Sequence, residues 1–394
     1  MAQQIKPEVE TFARIKVVGV GGSGKNVINH MVNAKVRGVD FIVINTDAQD
    51  LHHSLAKKKI HIGKNLTKGL GAGMNPEVGK RAAEETREEI QEALKNADMV
   101  FISGGEGGGT CTGAAPIVAR IAKEMGALTI GVVTKPFAFE GQQRMRLAEQ
   151  GLEQLRESVD SLIIIPNDRL LSTVSKETTA KQAFALCDEI LKQAVEGISD
   201  LITTPGTIGN IDFADIRAVM ENSGSALMGV GTASGEKRAE EAAKAAINSP
   251  LLDISIHGAK GVLFSIAGGD DLTMFEIQDA AKMVTDSIDP SAKVIFGTVN
   301  DAKIKKGEVR VTVVAAGFPE NSVKKTLFQG ATESNDEKRT AIFNSFGAKK
   351  EQKMDDVKPA PVQQQAAAPA KPPVIDDNDD WGAVPAFLRR SKIK

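Results

Sequence analysis

Gly104-Gly105-Glu106-Gly107-Gly108-Gly109-Thr110-Cys111-Thr112-Gly113 follows the apolar run Met99-Val100-Phe101-Ile102 and leads into Ala114-Ala115-Pro116-Ile117-Val118-Ala119. That order reads as a strand, a glycine loop and the start of a helix near Gly113. Glycines let the backbone turn its N–H groups inward with no Cβ in the way, and a helix N-terminus adds roughly half a positive charge. Such a loop suits phosphate, with threonine hydroxyls as further donors. A flexible glycine linker is the alternative, but linkers do not usually separate a buried-strand pattern from a helical one.

A second glycine loop lies upstream. Ile15-Lys16-Val17-Val18 reads as a buried strand and is followed by Gly19-Val20-Gly21-Gly22-Ser23-Gly24-Lys25-Asn26. Gly19, Gly21 and Gly24 fit the dinucleotide pattern G-x-G-x-x-G, and Asp47, after the strand Phe41–Ile44, falls near the place of a ribose-binding acid. Gly19, Gly24 and Lys25 also approach a P-loop, but Asn26 stands where a Mg²⁺-binding Ser or Thr belongs. Alone, this region suggests a nicotinamide-dependent oxidoreductase. Two glycine loops at successive strand ends suggest instead one nucleotide held from two sides.

Short β-rich runs alternate with helical stretches on either side of these loops. Strands are expected at Lys16–Gly19, Phe41–Ile44, Met99–Ser103, Leu128–Thr134 and Leu162–Pro166, with helices at Pro76–Asn96 and Gln142–Glu157. This alternation predicts a doubly wound, mostly parallel α/β sheet with ligands beyond the carboxyl ends of its strands. A long helical run, about Thr178 to Leu201, leads to a second α/β unit. Its expected helices are Phe213–Met220, Glu236–Ile247 and Glu276–Ser287, and its strands Gly261–Ala267, Lys293–Thr298 and Val309–Val314. The predicted divisions are 14–177, a central helix 178–204, a second domain 205–318, a linker 319–383 and a terminal peptide 384–394.

The linker is rich in Glu, Lys, Gln, Ala and Pro, cannot bury a core, and is expected to act as a disordered tether with an r.m.s. reach of about 40 Å. Val384-Pro385-Ala386-Phe387-Leu388-Arg389-Arg390 joins apolar anchors to basic residues, as a docking peptide does. A solubilising tail would have no use for Phe387 and Leu388.

The net charge of −2 argues against nucleic acid as a partner, and two cysteines, Cys111 and Cys187, are too few for a disulfide framework. The five histidines lack metal-ligand spacing, so no protein-held metal is expected. No run approaches the roughly 20 apolar residues of a membrane span, and no secretory signal is apparent at Met1–Gln4. A soluble, cytoplasmic protein without direct membrane insertion is expected.

Taken together, these stretches resemble the FtsZ family of tubulin-like GTPases. Gly107–Gly113 looks like the family signature G-G-G-T-G-T-G, with Cys111 in place of a glycine. Asn45–Gln49, Gly69–Gly73, Pro136-Phe137, Pro166-Asn167, Gly209–Asp215 and the terminal peptide match in the same order. The resemblance implies a tubulin-like fold, GTP/GDP with Mg²⁺ as cofactors, and head-to-tail filaments at a mid-cell division ring. It also implies capture by membrane-tethering division proteins such as FtsA through the terminal peptide. By position, Gly21, Gly22, Ser23, Gly24, Lys25 and Asn26 fall in the first nucleotide loop, and Ala72 and Gly73 in the loop that senses the γ-phosphate. Gly108, Gly109, Thr110 and Cys111 belong to the phosphate loop. Glu140 and Arg144 match ribose- and phosphate-side contacts, and Asn167 and Asp188 guanine-side contacts. An Asp carboxylate can accept both N1–H and N2–H of guanine, which adenine cannot offer. Phe184 could stack on the base or be a core residue of the long helix.

Asp212 and Asp215 read, from sequence, as a helix cap. The resemblance implies instead that they enter the next subunit's site and polarise the attacking water, with Asn210 nearby. Cys111 is expected to cost strain if its position needs φ > 0, and to have its thiolate stabilised at a helix N-terminus. Glu106 is unhelpful beside phosphate unless it pairs with Lys25. Because of Cys111 and Glu106, a filament scaffold with weak hydrolysis stands beside the GTPase and oxidoreductase readings.

Overall fold

A computed structural model describes residues 13–318, apart from 172, 173, 176, 204–210, 250–255, 270 and 301–303. Asn210, the linker 319–383 and the peptide 384–394 lie outside the described residues. The first half holds β1 Ile15–Val20, β2 Val39–Asn45, β3 Lys58–His61, β4 Met99–Gly105, β5 Leu128–Lys135 and β6 Ser161–Pro166. Its helices are α1 Gly21–Asn33, α2 Ala48–His52, α3 Lys64–Thr67, α4 Pro76–Glu85, α5 Arg87–Leu94, α6 Thr110–Glu124, α7 Gln142–Ser158 and α8 Asn167–Leu171. The long α9, Ala180–Thr203, leads to α10 Phe213–Met220, β7 Gly224–Ser234, α11 Arg238–Ile247, β8 Gly261–Gly268, α12 Met274–Thr285, β9 Lys293–Asn300 and β10 Glu308–Ala316.

The strands form one sheet in the order β3-β2-β1-β4-β5-β6-β7-β10-β8-β9. All pairs from β3 to β7 are parallel; β10 runs antiparallel to β7 and β8. The two α/β units separated by sequence reading therefore share a sheet, joined where Ser161, Leu162 and Ile163 of β6 pair with Gly224, Ser225 and Ala226 of β7.

Successive side chains of a strand point to opposite faces. Val17 thus joins one core and Val18 the other, as do Phe101 and its neighbours Val100 and Ile102. The first core runs under α1, α9 and α10 and takes residues from both halves, including Val17, Leu191, Val195, Leu263 and Val314. The opposite face is covered by α4 to α7 in the first half and by α11 and α12 in the second. Fully buried side chains such as Phe101 and Phe264 each contribute roughly 1.5–3 kcal/mol of apolar burial.

Several boundaries differ from expectation. The helix expected over Pro76–Asn96 is two helices meeting at Thr86, whose hydroxyl accepts from Gly63 N at 3.2 Å and lies 3.2 Å from Ala82 O. Sequence reading misses β3, which is half lysine, and β7, which is rich in glycine. Gly231 of β7 explains its own presence: a Cβ there would stand 2.1 Å from Ala242 O of α11. The helix after the signature loop starts at Thr110, three residues before Gly113.

Candidate functional site

A cleft of about 370 Å³ opens at the carboxyl ends of β1, β4, β5 and β6. Its floor is made by the first turns of α1 and α6 with the β4–α6 loop: Gly21, Gly22, Ser23, Asn26, Gly105, Glu106, Gly108, Gly109, Thr110 and Cys111. The far wall carries Thr134, Pro136, Glu140, Arg144, Asn167, Phe184, Cys187, Asp188 and Leu191. Both glycine loops are largely helix N-termini, so two sets of unpaired N–H groups and two helix dipoles converge on one space. That arrangement attracts anions.

Tight packing fixes the floor. The Ser23 hydroxyl accepts from Gly105 N at 2.6 Å, and the Thr46 and Thr110 hydroxyls are 2.7 Å apart. Gly24 does not line the cleft; a Cβ there would stand 2.7 Å from both Gly19 C and Ser103 O, so this glycine lets α1 cross the strands. Lys25 also points elsewhere, with Nζ 2.5 Å from Asp50 Oδ1. Neither a P-loop lysine nor a Lys25–Glu106 pair is present. Ala72 and Gly73 do not line the cleft either, but Ala72 buttresses it: a Cβ on Gly109 would stand 2.9 Å from Ala72 Cβ.

Cys111 departs furthest from expectation. It sits inside α6, not at positive φ, so its Cβ carries no left-handed strain; Gly107, at φ +91°, takes that role. Its sulfur turns into the core and is 3.7 Å from Glu106 Oε1. Burial first, then the charge of Glu106, pushes the thiol pKa well above its ordinary value. Burial thus works against the stabilised thiolate expected at a helix N-terminus.

The opposite wall has the chemistry of base recognition. Asn167 is buried and its Oδ1 lacks a hydrogen-bond partner, an arrangement that costs free energy unless a donor arrives. Burial pushes Asp188 up to about 6, with the nearby His30 pulling the other way. Phe184 is 45% exposed at the cleft, so it is not a core residue. Phe137 packs edge-on against it at 5.2 Å, leaving a ring face for stacking. Glu140 holds the wall, accepting from Phe137 N at 3.0 Å and pairing with Arg144.

Sequence reading leaves out Thr134 and Pro136, although the strand-end rule points to both at the end of β5, and Cys187 and Leu191, which share the α9 face of Phe184 and Asp188. Asp47 serves as the cap of α2, accepting from Asp50 N at 2.9 Å, and does not line the cleft. The oxidoreductase reading loses its acid there. Asp212 likewise caps α10, its Oδ1 accepting from Asp215 N at 2.8 Å. Neither Asp212 nor Asp215 lines the cleft of its own chain.

Residues 14–175 match the GTPase domain of the tubulin/FtsZ family, and residues 224–319 match the FtsZ family C-terminal domain. The FtsZ dimer of M. jannaschii is 48% identical, with a TM-score of 0.75, covering 78% of this chain and 89% of that one. The chain belongs to the FtsZ family. CetZ2 of Haloferax volcanii, solved as a GTPγS-bound protofilament, shares the fold at 20% identity, with a TM-score of 0.67 and coverage of 84% of this chain and 99% of that one. CetZ1 of the same organism, a GDP-bound monomer, aligns at 21% identity and TM-score 0.68 over 80% of this chain and 98% of that one. Membership makes this a tubulin-like, guanine-nucleotide-binding protein of a GTPase family. Among the described residues, no helix is long and apolar enough to cross a membrane.

Proposed function

We propose that this chain binds GTP in the cleft, assembles head to tail into cytoplasmic filaments, and hydrolyses GTP where one subunit meets the next. The observation that carries the reading is the separation of the cleft residues from the Asp212–Asp215 pair. Two helix N-termini face Asn167 and Asp188 across one cleft, while Asp212 and Asp215 lie on a separate element. From Asp188 to Thr203, α9 runs on for about 22 Å at 1.5 Å per residue before α10 begins. A carboxylate pair at that far end serves a second copy's nucleotide better than its own.

In this reading phosphates lie over Gly21, Gly22, Gly108, Gly109 and Thr110, and Phe184 stacks on the base. Asn167 Oδ1 takes a donor from guanine, and ionised Asp188 accepts two more. Mg²⁺ held by the phosphates of the bound nucleotide would offset their charge. The next subunit's Asp212 and Asp215, with Asn210, orient the attacking water and accept its proton. Capping leaves Asp212 Oδ2 for this role. A head-to-tail contact that does not close gives an open filament. The terminal peptide 384–394 would tie filaments to a membrane-tethering division protein of the FtsA kind at a mid-cell ring.

Sedimentation with GTP, GDP, ATP or NAD, alongside phosphate release, tests the reading. Pelleting and phosphate release are expected with GTP alone. Asp215→Ala should retain GTP binding, lose most turnover, and depress turnover of the wild-type protein beyond dilution. Equal pelleting with GDP, or normal turnover by Asp215→Ala, would overturn the split site. Filaments without phosphate release would leave a scaffold.

A further inference from the structure

Glu106 stands between two glycines in the floor of the cleft, yet its side chain turns inward and only 5% of the residue is exposed. The loop around it is pinned from both sides: Glu106 N donates to Thr134 O at 3.0 Å, and Gly107 N to Thr112 Oγ1 at 2.9 Å. Oε1 faces the Cys111 sulfur, while buried Oε2 has no hydrogen-bond partner. Oε2 lies against Gly151 of α7, where a Cβ would stand 2.6 Å away. Among the described residues no Lys, Arg or His pairs with the carboxylate. Lys25 is held by Asp50, Arg144 by Glu140, and Lys135 Nζ lies 3.9 Å from Glu149. Among the described residues Cys111, on α6, is a titratable group in contact with it, and burial pushes that thiol up, away from the charged form.

We propose that Glu106 is a positioning residue that carries a proton when the cleft holds a guanine nucleotide, so that nucleotide binding takes up a proton from the buffer. A neutral carboxylic acid supports the phosphate loop without repelling its ligand. It also gives Oε2 a hydrogen to donate, or an acceptor that needs less solvation, in a pocket that water does not reach. The proposal rests on the reading of the cleft as a GTP site.

The charges set a sign. Burial pushes Glu106 up to about 7, against the weaker pull of the nearby Thr112 hydroxyl and Cys111 thiol. Phosphates above the loop add negative charge and raise it further. Nucleotide affinity is therefore full below about 7 and falls as pH rises, with a limiting slope of about tenfold per pH unit for one proton. Asp188 works in the opposite sense. Raised to about 6, it must be ionised to accept from guanine, so it favours binding as pH rises and is complete by neutral pH. The two carboxyls are distinguishable by direction.

The test uses the full chain and mant-GDP, with no turnover to confuse the reading. Affinity is followed by fluorescence on both sides of neutral pH for wild type and Glu106→Gln, and calorimetry in two buffers of different ionisation heat counts protons. Above about pH 7 the wild-type affinity should fall about 3- to 10-fold per pH unit relative to Glu106→Gln, with proton uptake absent from the variant. Identical pH slopes would overturn the proposal. The infrared carbonyl band of a protonated carboxyl in GDP-bound wild type reads the same proton without any substitution. Its absence just above neutral pH would equally overturn it. Failure to bind mant-GDP at any pH would refute the GTP-site reading itself.

Discussion

Gly113→Ala should separate packing from ligand binding when compared with Gly108→Ala. Helices α4 and α6 meet at backbone contact: a Cβ on Gly113 would stand 1.9 Å from Pro76 O and 2.6 Å from Lys80 N. A C···O contact tolerates about 3.3 Å, so α4 must retreat by about 1.4 Å. The obstructing atoms are backbone and cannot rotate away. Overpacking of this kind costs about 1–3 kcal/mol, and separated helices lose dispersion contacts as well. Alanine's better helix propensity returns only about 1 kcal/mol. A net loss near 2 kcal/mol lowers Tm by roughly 4–8 °C at this size. The retreat also carries Asn75 away from Gly109, whose added Cβ would be only 2.7 Å from Asn75 N, so mant-GDP binding should weaken too. A Cβ on Gly108, which lines the cleft, would meet no atom within 4 Å. Gly108→Ala should therefore leave Tm within about 1 °C while weakening mant-GDP by about tenfold, some 1.4 kcal/mol. Thermal unfolding by circular dichroism and fluorescence titration give both numbers. An unchanged Tm for Gly113→Ala, or wild-type affinity for Gly108→Ala, would refute the packing argument or the site respectively.

Cys111 and Cys187 should both react with iodoacetamide far more slowly than a free thiol at neutral pH, with or without nucleotide, since burial holds Cys111 protonated and pushes Cys187 up to about 12; mass spectrometry of timed samples checks this. Arg238 is nearly buried, with Nε 2.6 Å from Glu276 and Nη1 2.6 Å from Asp271, so Arg238→Ala should cost about 2 kcal/mol or more in urea unfolding. The partner Glu276 is lowered to about 2, which means that its stabilisation is present above about pH 4.5 and is lost as pH falls toward 2; acid unfolding of Arg238→Ala should lack that component. Removing residues 385–394 should leave the core Tm unchanged and abolish recruitment by a membrane-tethering partner, as read by co-sedimentation.

Most of the first half of the fold is legible because its strands are continuous apolar runs between turn residues, as in Val17–Val20 and Phe101–Ile102. The glycine loops declare the floor of the cleft for the same reason. Other features depend on partners distant in sequence. Lys25 chooses Asp50, and β7 keeps its glycines for the backbone of α11. Cys111 shows how a small boundary error becomes a chemical one. With α6 starting at Thr110 rather than Gly113, Cys111 is a helical residue and not a loop residue, and its side chain packs into the core. Asp212 is legible as a cap, and is one. Its catalytic reading comes from family resemblance and concerns a second copy that a single chain does not contain. Asp188 and Asn167 likewise carry no local pattern, and burial marks them only once the sheet is assembled.

The seam between β6 and β7 has a consequence for folding. Val17 of the first half and Val314 of the second lie in one apolar core under α9, so neither half buries its full complement of side chains alone. A core shared in this way couples the halves, so unfolding is expected to be a single cooperative transition in which loosening the second half exposes the strands that carry the glycine loops. An exchange of second halves between relatives must preserve the faces of α9 and α10 that meet Leu263 and Val314, or the chimera will lose the first half's stability along with its own.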